Sequence, residues 1–363
     1  MIFCDLHRQY REYKHEIDAA IASVIAETAF INGPDIQALE GELAAYANVP
    51  HALTCSSGSD AISLALMALD IKSGDEVICP AFTFIATASM VSIVGARPVF
   101  ADVDPVTFNL DPEKIEAKIT PRTKGIIPVS LYGQPADMDA INAIAARHGL
   151  WVMEDAAQSF GASYKGKRSC ALSRIATSSF FPAKPLGCYG DGGALFTDDP
   201  VLAEKIRMIR NHGQVKRYYH KMVGVNGRMD TLQAAILRVK LRHFDREIDE
   251  RNRVAETYSQ ALKGVVDIPT VLAHNRSVWA QYTIRTQDRD ALREALAAKD
   301  IPTAVHYPMP LPSQEAFADL GQGTDFPVSN RLSETVVSLP MHPFLSSEEI
   351  HYVADTIKET IHG

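Results

Sequence analysis

The sequence predicts an α/β fold, with a mostly parallel sheet flanked by helices and a smaller α+β region after it. Two observations predict this. Between residues 51 and 197, short apolar segments rich in β-branched and aromatic residues alternate with stretches of helical periodicity. Beyond about residue 265 the segments become shorter, mixed and studded with prolines. Hydrophobic residues make up 46% of the 363-residue chain, ample for a sizeable core. The expected division is a large domain over 1–245, including an N-terminal helix, and a small domain over 246–363.

The elements follow in order. Residues 5–29 carry Ile17, Ile21, Val24 and Ile25 at helical spacing among charges, which predicts an amphipathic helix. Phe30-Ile31-Asn32-Gly33-Pro34 breaks it, and Asp35 is the expected cap of a second helix through Tyr46. His51–Cys55 reads as a buried strand leading into Ser56-Ser57-Gly58-Ser59-Asp60 and a helix over 61–69. Further strands are expected at 76–79, 98–101, 125–129, 151–154, 176–181 and 194–197. A helix over 137–148 has Asp137 to cap it and Gly149 to stop it. After Pro200 a helix reaches Arg210, and a loop rich in glycine, aromatic and basic residues fills 211–230. One or two amphipathic helices over 231–263 lead into the second region. There a strand at 280–285, a helix at 288–299, a strand at 303–306 and a terminal helix at 347–361 are expected.

Charge and composition narrow the function. A net charge of −8 argues against a nucleic-acid protein, since phosphate binding wants a basic face. No apolar run approaches the ~18 residues of a membrane span. The start of the chain lacks the basic-then-apolar layout of a secretory signal. Five cysteines without paired spacing point to reduced thiols in a cytoplasm. With no zinc spacing and no HExxH helix, no metal is expected.

Four stretches carry chemistry. The small residues Ser57–Ser59 join a strand to a helix start, where free N–H groups and the helix dipole favour a phosphate; an ordinary serine cap reads equally well there. Phe82-Thr83-Phe84 puts aromatics at a second strand end. Asp155 ends a third strand beside small residues, as either a helix cap or a partner for a ring nitrogen. Lys184 sits between Pro182 and Pro185, which hold it out of a helix; it is either a decorated turn or an amine positioned to meet a carbonyl. An anion cradle, a ring face, an acid and an amine are together what pyridoxal phosphate needs.

The chain also resembles the DegT/DnrJ/EryC1/StrS sugar-nucleotide aminotransferases, within the fold-type I pyridoxal phosphate enzymes. The likeness spans essentially the whole chain. It rests on FINGP at 30–34, SSGSDA at 56–61, PAFTFIATA at 80–88 and EDAAQSFGA at 154–162. SSFFPAKPLGCYGDGGA at 178–194, GVNGRMD at 224–230 and AVHYPMPL at 304–311 complete it. The resemblance implies that Lys184 bonds the cofactor and shuttles a proton, that Asp155 meets the pyridine nitrogen and that Phe84 stacks on the ring. It implies that Gln158 lies at the cofactor's hydroxyl edge, and that Gly58, Ser59 and Ser179 hold its phosphate. Asn226 matches a residue that reaches the phosphate from a neighbouring subunit, implying a homodimer with shared sites. Arg228, His306 and Tyr307 fall where the family meets its sugar nucleotide.

Phe181 and Asp191 stand where many members have histidine and glutamate. With PLGCYGDGGA, they resemble the subgroup that aminates C3 of a UDP-linked 2-acetamido-2-deoxy-3-keto-hexuronic acid for bacterial O-antigen and other surface polysaccharide. L-glutamate is the implied donor in a ping-pong reaction. The rival substrate is a neutral nucleotide-linked 4-keto-6-deoxy sugar, aminated at C4. Lys184 speaks against a sugar dehydrase, because family dehydrases carry histidine there. A regulator built on this fold would need a basic DNA-binding extension, and neither end of the sequence shows one.

Overall fold

The structure is a computed structural model describing residues 1–362. Its centre is a seven-stranded sheet: β1 His51–Cys55, β2 Glu76–Pro80, β3 Arg97–Ala101, β4 Thr123–Ile126, β5 Trp151–Asp155, β6 Ile175–Ser179 and β7 Gly193–Thr197. The spatial order is β1-β7-β6-β5-β4-β2-β3. Neighbours are parallel from β6 across to β3, whereas β7 runs antiparallel to both β6 and β1. The sheet is therefore mixed and mostly parallel.

Both faces are covered, so residues along β2, β6 and β7 are buried in succession and not in alternation. Alternation along β2 shows the two faces directly. Val77 and Cys79 enter one core with α3 (Gly58–Ala68), α4 (Ala86–Ile93) and α6 (Pro200–Ile209), while Ile78 enters another with α5 (Met138–His148). A third core joins α2 (Pro34–Ala47) to Phe160, Phe180, Phe196 and Phe244. α1 (Leu6–Glu27) is capped by the Asp5 carboxylate, which accepts from the N–H groups of His7 and Arg8.

A single helix, α7 (Thr231–Leu262, 32 residues), then leads away from the sheet. At 1.5 Å per residue it is about 48 Å long. Its first half packs on the sheet's core and its second half on a separate core of residues between Val254 and Ile357. That core holds the antiparallel pair β8 (Tyr282–Arg285) and β9 (Val336–Leu339), α8 (Arg289–Ala297) and α10 (Ser347–His362), with α9 (Pro327–Thr335) leading directly into β9.

Several expectations need correction. Asp35 does not cap α2: Gly33 is the cap residue, Pro34 takes the first helical position, and Asp35 pairs with Arg238 at 2.5 Å. The ladder of β4 stops at Ile126 because Pro128 has no N–H; only a single bridge links Val129 to Asp155. The stretch 303–306 forms one bridge, Ala304 to Ser338, and no strand; the partner of β8 is β9. The loop 211–230 contains a short hairpin, Gln214–Lys216 with Tyr219–His220. Among the described residues no helix is long and apolar enough to cross a membrane.

Candidate active site

β1, β2, β5 and β6 run the same way, so all end on one edge of the sheet, where open α/β sheets bind ligands. There the chain forms a cleft of about 500 Å3. Its walls include Gly58 and Ser59 after β1, Phe84 after β2, Asp155 at the end of β5 and Gln158 just beyond it, Ser179 at the end of β6, and Lys184 before β7. His306 and Tyr307 close it from the second half of the chain.

Each side chain has a local reason for its position. Ser57 caps α3 by accepting from the Asp60 N–H at 3.0 Å, which leaves the first-turn N–H groups of Gly58 and Ser59 without helical partners. A Cβ on Gly58 would lie 2.6 Å from the Cβ of Ser179, so only glycine lets these two backbones meet. Lys184 ends a turn closed by its own N–H donating to the Phe181 carbonyl at 2.8 Å, and its side chain is half-buried. Phe84 keeps half its surface exposed, its ring tilted against Tyr307 at 6.2 Å.

Asp155 is buried and doubly held. Thr87 Oγ1 donates to its Oδ2 at 2.8 Å and the Ala157 N–H to its Oδ1 at 3.1 Å. Burial raises its pKa, and those two donors and the Lys184 charge partly counter the rise. Burial lowers the pKa of Lys184, with the Asp155 charge opposing it. Gln158 accepts from the Tyr132 N–H at 2.8 Å and donates to the Tyr307 hydroxyl at 3.1 Å, which fixes its amide. Burial and then the Lys184 charge push His306 down to about 4, so its imidazole is neutral at pH 7. Its Nδ1 lies 2.8 Å from Ser338 Oγ, and Tyr132 donates its hydroxyl to the His306 carbonyl.

Two expected residues lie outside this cleft. Asn226 is exposed on the 211–230 loop, and Arg228 beside it donates to Asn211 Oδ1 at 2.7 Å, with its buried Nε unpartnered. Sequence reasoning missed Thr87, which lies in the first turn of α4. It also missed Gln281, which lines the cleft with an unpartnered Oε1. Among the described residues no three His, Cys, Asp or Glu side chains gather as a metal site.

A partly desolvated amine, a buried carboxylate and an N–H-rich loop at one strand edge suit carbonyl–amine chemistry on a phosphorylated ligand. Comparison with known proteins agrees. The DegT/DnrJ/EryC1/StrS aminotransferase family model matches residues 11–358. The chain belongs to that family. It is 53% identical over 352 residues to the UDP-2-acetamido-2-deoxy-3-oxo-D-glucuronate aminotransferase of Pseudomonas aeruginosa, covering 97% of this chain and 98% of that one. A DegT DnrJ EryC1 StrS aminotransferase from Brucella abortus superposes with a TM-score of 0.96 at 41% identity, over 100% of both chains. The ntda protein from Bacillus subtilis, solved with bound cofactor PMP, superposes at 0.91 with 33% identity over 97% of this chain and 82% of that one. The fold is thus that of the aminotransferases, as the sequence predicts. The cleft fits a pyridoxal phosphate group: besides Lys184, Asp155 and the Gly58 loop, a buried Thr83 hydroxyl lines it without a partner.

Proposed function

We propose that this enzyme is a pyridoxal phosphate-dependent transaminase moving an amino group from L-glutamate to C3 of a UDP-linked 2-acetamido-2-deoxy-3-keto-hexuronic acid. The observation that carries the chemistry is the meeting, in one cleft, of the Lys184 amine with the doubly hydrogen-bonded Asp155 carboxylate. The similarity to the Pseudomonas aeruginosa enzyme, with Phe181 and Asp191 both on the cleft wall, supports the 3-keto uronate over a neutral 4-keto sugar.

When bound, the cofactor supplies an aldehyde to carry the amino group and a ring to withdraw electrons. Lys184 holds it covalently and, once free, takes and returns the substrate proton at Nζ. Burial lowers its pKa, which favours the neutral amine that a proton acceptor must be. Asp155 holds a proton at the ring nitrogen, and Thr87 and the Ala157 N–H keep its carboxylate aimed. Gly58, Ser59 and Ser179 take the phosphate, Phe84 the ring face and Gln158 the hydroxyl edge. His306 and Tyr307 face the sugar nucleotide as neutral groups.

Asn226 and Arg228, turned out of their own cleft, fit a homodimer in which each copy completes the other's site. Arg228 is then the candidate for an anionic substrate group, through guanidinium–carboxylate geometry. The separate core between Val254 and Ile357 supports a small domain after about residue 245. A cytoplasmic location fits the five free thiols.

The test is single turnover of the aminated cofactor form against a panel of keto sugars. Amine transfer to the UDP-linked 3-keto uronate is the expected result. Transfer only to 4-keto sugars sinks the substrate assignment and leaves the transaminase chemistry standing.

A further inference from the structure

We infer that Lys240, buried on α7, is a positioning residue for the Lys184 turn, gripping the loop that follows it through the Gly187 carbonyl, with Gln233 as a second grip. The inference rests on Lys184 being the reacting amine.

The physical linkage is continuous. Lys240 is 2% exposed and donates from Nζ to the Gly187 carbonyl oxygen. Gly187 in turn presses on the turn that bears Lys184. A Cβ there would lie 2.4 Å from the Pro182 carbonyl oxygen and 2.6 Å from that of Phe181, which itself accepts the Lys184 N–H. One residue on, the Cys188 N–H donates to the Phe180 carbonyl at 2.8 Å. Two helical turns before Lys240, Gln233 accepts from the Tyr189 N–H at 2.9 Å. One rigid helix therefore holds Gly187 and Tyr189 directly, and Lys184 through them.

An ammonium is an expensive way to hold one carbonyl. Burial pushes Lys240 down to about 8; Glu247, Cys188 and Cys4 counter the shift, and Arg251 adds to it. The Tyr189 ring centroid lies 5.2 Å from Nζ. A leucine or methionine would fill the same space in the core without that desolvation. What an apolar residue could not supply is a directed donor under the active-site turn, and displacements of about 1 Å at a reacting group can cost 100-fold in rate.

The test uses the full-length enzyme loaded with pyridoxal phosphate. K240M keeps the length and removes the donor, K240Q keeps an N–H donor without the charge, and Q233M releases Tyr189. We expect K240M to lower kcat about 10- to 100-fold with little change in KM. It should also shift the apparent pKa of the visible band of the lysine-linked cofactor. K240Q should recover part of both, and Q233M should move both less, in the same direction. Unchanged kcat and band pKa in K240M and Q233M overturn the inference. So does a lower melting temperature with both readouts unmoved, since Lys240 is then a core residue only. Where K240M fails to fold, K240Q and Q233M decide by the same readouts. Lys184→Ala separates the two claims: loss of the band upholds the role of Lys184 whatever Lys240 does, and survival of the band refutes it.

Discussion

Replacing Asp155 with asparagine removes one charge and little else. The side chain is 4% exposed and held by Thr87 Oγ1 and the Ala157 N–H. Asparagine preserves both contacts, because its oxygen still accepts from Ala157 and its NH2 turns to the Thr87 hydroxyl, an acceptor as well as a donor. The fold should therefore survive. Burial raises the pKa of Asp155, which means the folded protein carries a cost for the ionised form. The cofactor-free variant should accordingly melt at the same temperature as wild type or higher.

Activity should move the other way. Asp155 is the proposed partner of the bound cofactor's ring nitrogen, and removing one partner of a buried, hydrogen-bonded ion pair costs about 3–5 kcal/mol. At about 1.4 kcal/mol per tenfold, that is a fall in kcat of roughly two to four orders of magnitude. The assay is steady-state kcat with saturating L-glutamate and keto sugar, beside a thermal melt of the cofactor-free protein. A kcat within tenfold of wild type refutes the role of Asp155. A large loss of melting temperature instead makes it a structural residue.

Two further predictions follow from the same geometry. Gly58→Ala places a methyl against Ser179, and overpacking of this kind costs about 1–3 kcal/mol. Cofactor Kd, followed by absorbance titration, should rise about 5- to 150-fold, and an unchanged Kd refutes the cradle. His342 is 2% exposed, its Nδ1 has no partner, and burial and then the Arg251 charge push it down to about 4. An unfolded histidine takes its proton near 6.5, so acid favours the unfolded chain and stability is lost as pH falls from 6.5 towards 4. In His342→Gln, the stability difference between pH 7 and pH 5, from urea unfolding, should shrink by about 2 kcal/mol. An unchanged difference refutes that assignment.

The parts of the fold legible in the sequence were those set by local pattern. His51–Cys55 is a strand in both readings, because an apolar run meets a serine cap at once. Asp137 and Gly149 bound α5 by cap chemistry that needs no tertiary partner. What escaped depends on distant segments. β9 follows α9 with no glycine or proline between them, so nothing local marks Val336 as a strand start. The stretch 303–306 carries a local strand pattern, yet its backbone meets β9 only where Ala304 bonds to Ser338.

The site shows the same split. Gly58, Ser59, Phe84, Asp155, Gln158, Ser179, Lys184, His306 and Tyr307, all on the cleft wall, were named from their strand-end positions and the family resemblance, whereas Gln281 was not. Thr87 becomes visible only when α4 carries its hydroxyl to Asp155, 68 residues away in sequence. The grip of Lys240 on Gly187 spans 53 residues and looks, in one dimension, like a lysine on a solvated helix face.

The most direct test of the central claim is borohydride reduction of the pyridoxal phosphate-loaded protein, followed by mass mapping of its peptides. The account predicts one pyridoxyl label, on Lys184. A label on Lys240 or any other lysine, or no label at all, contradicts it.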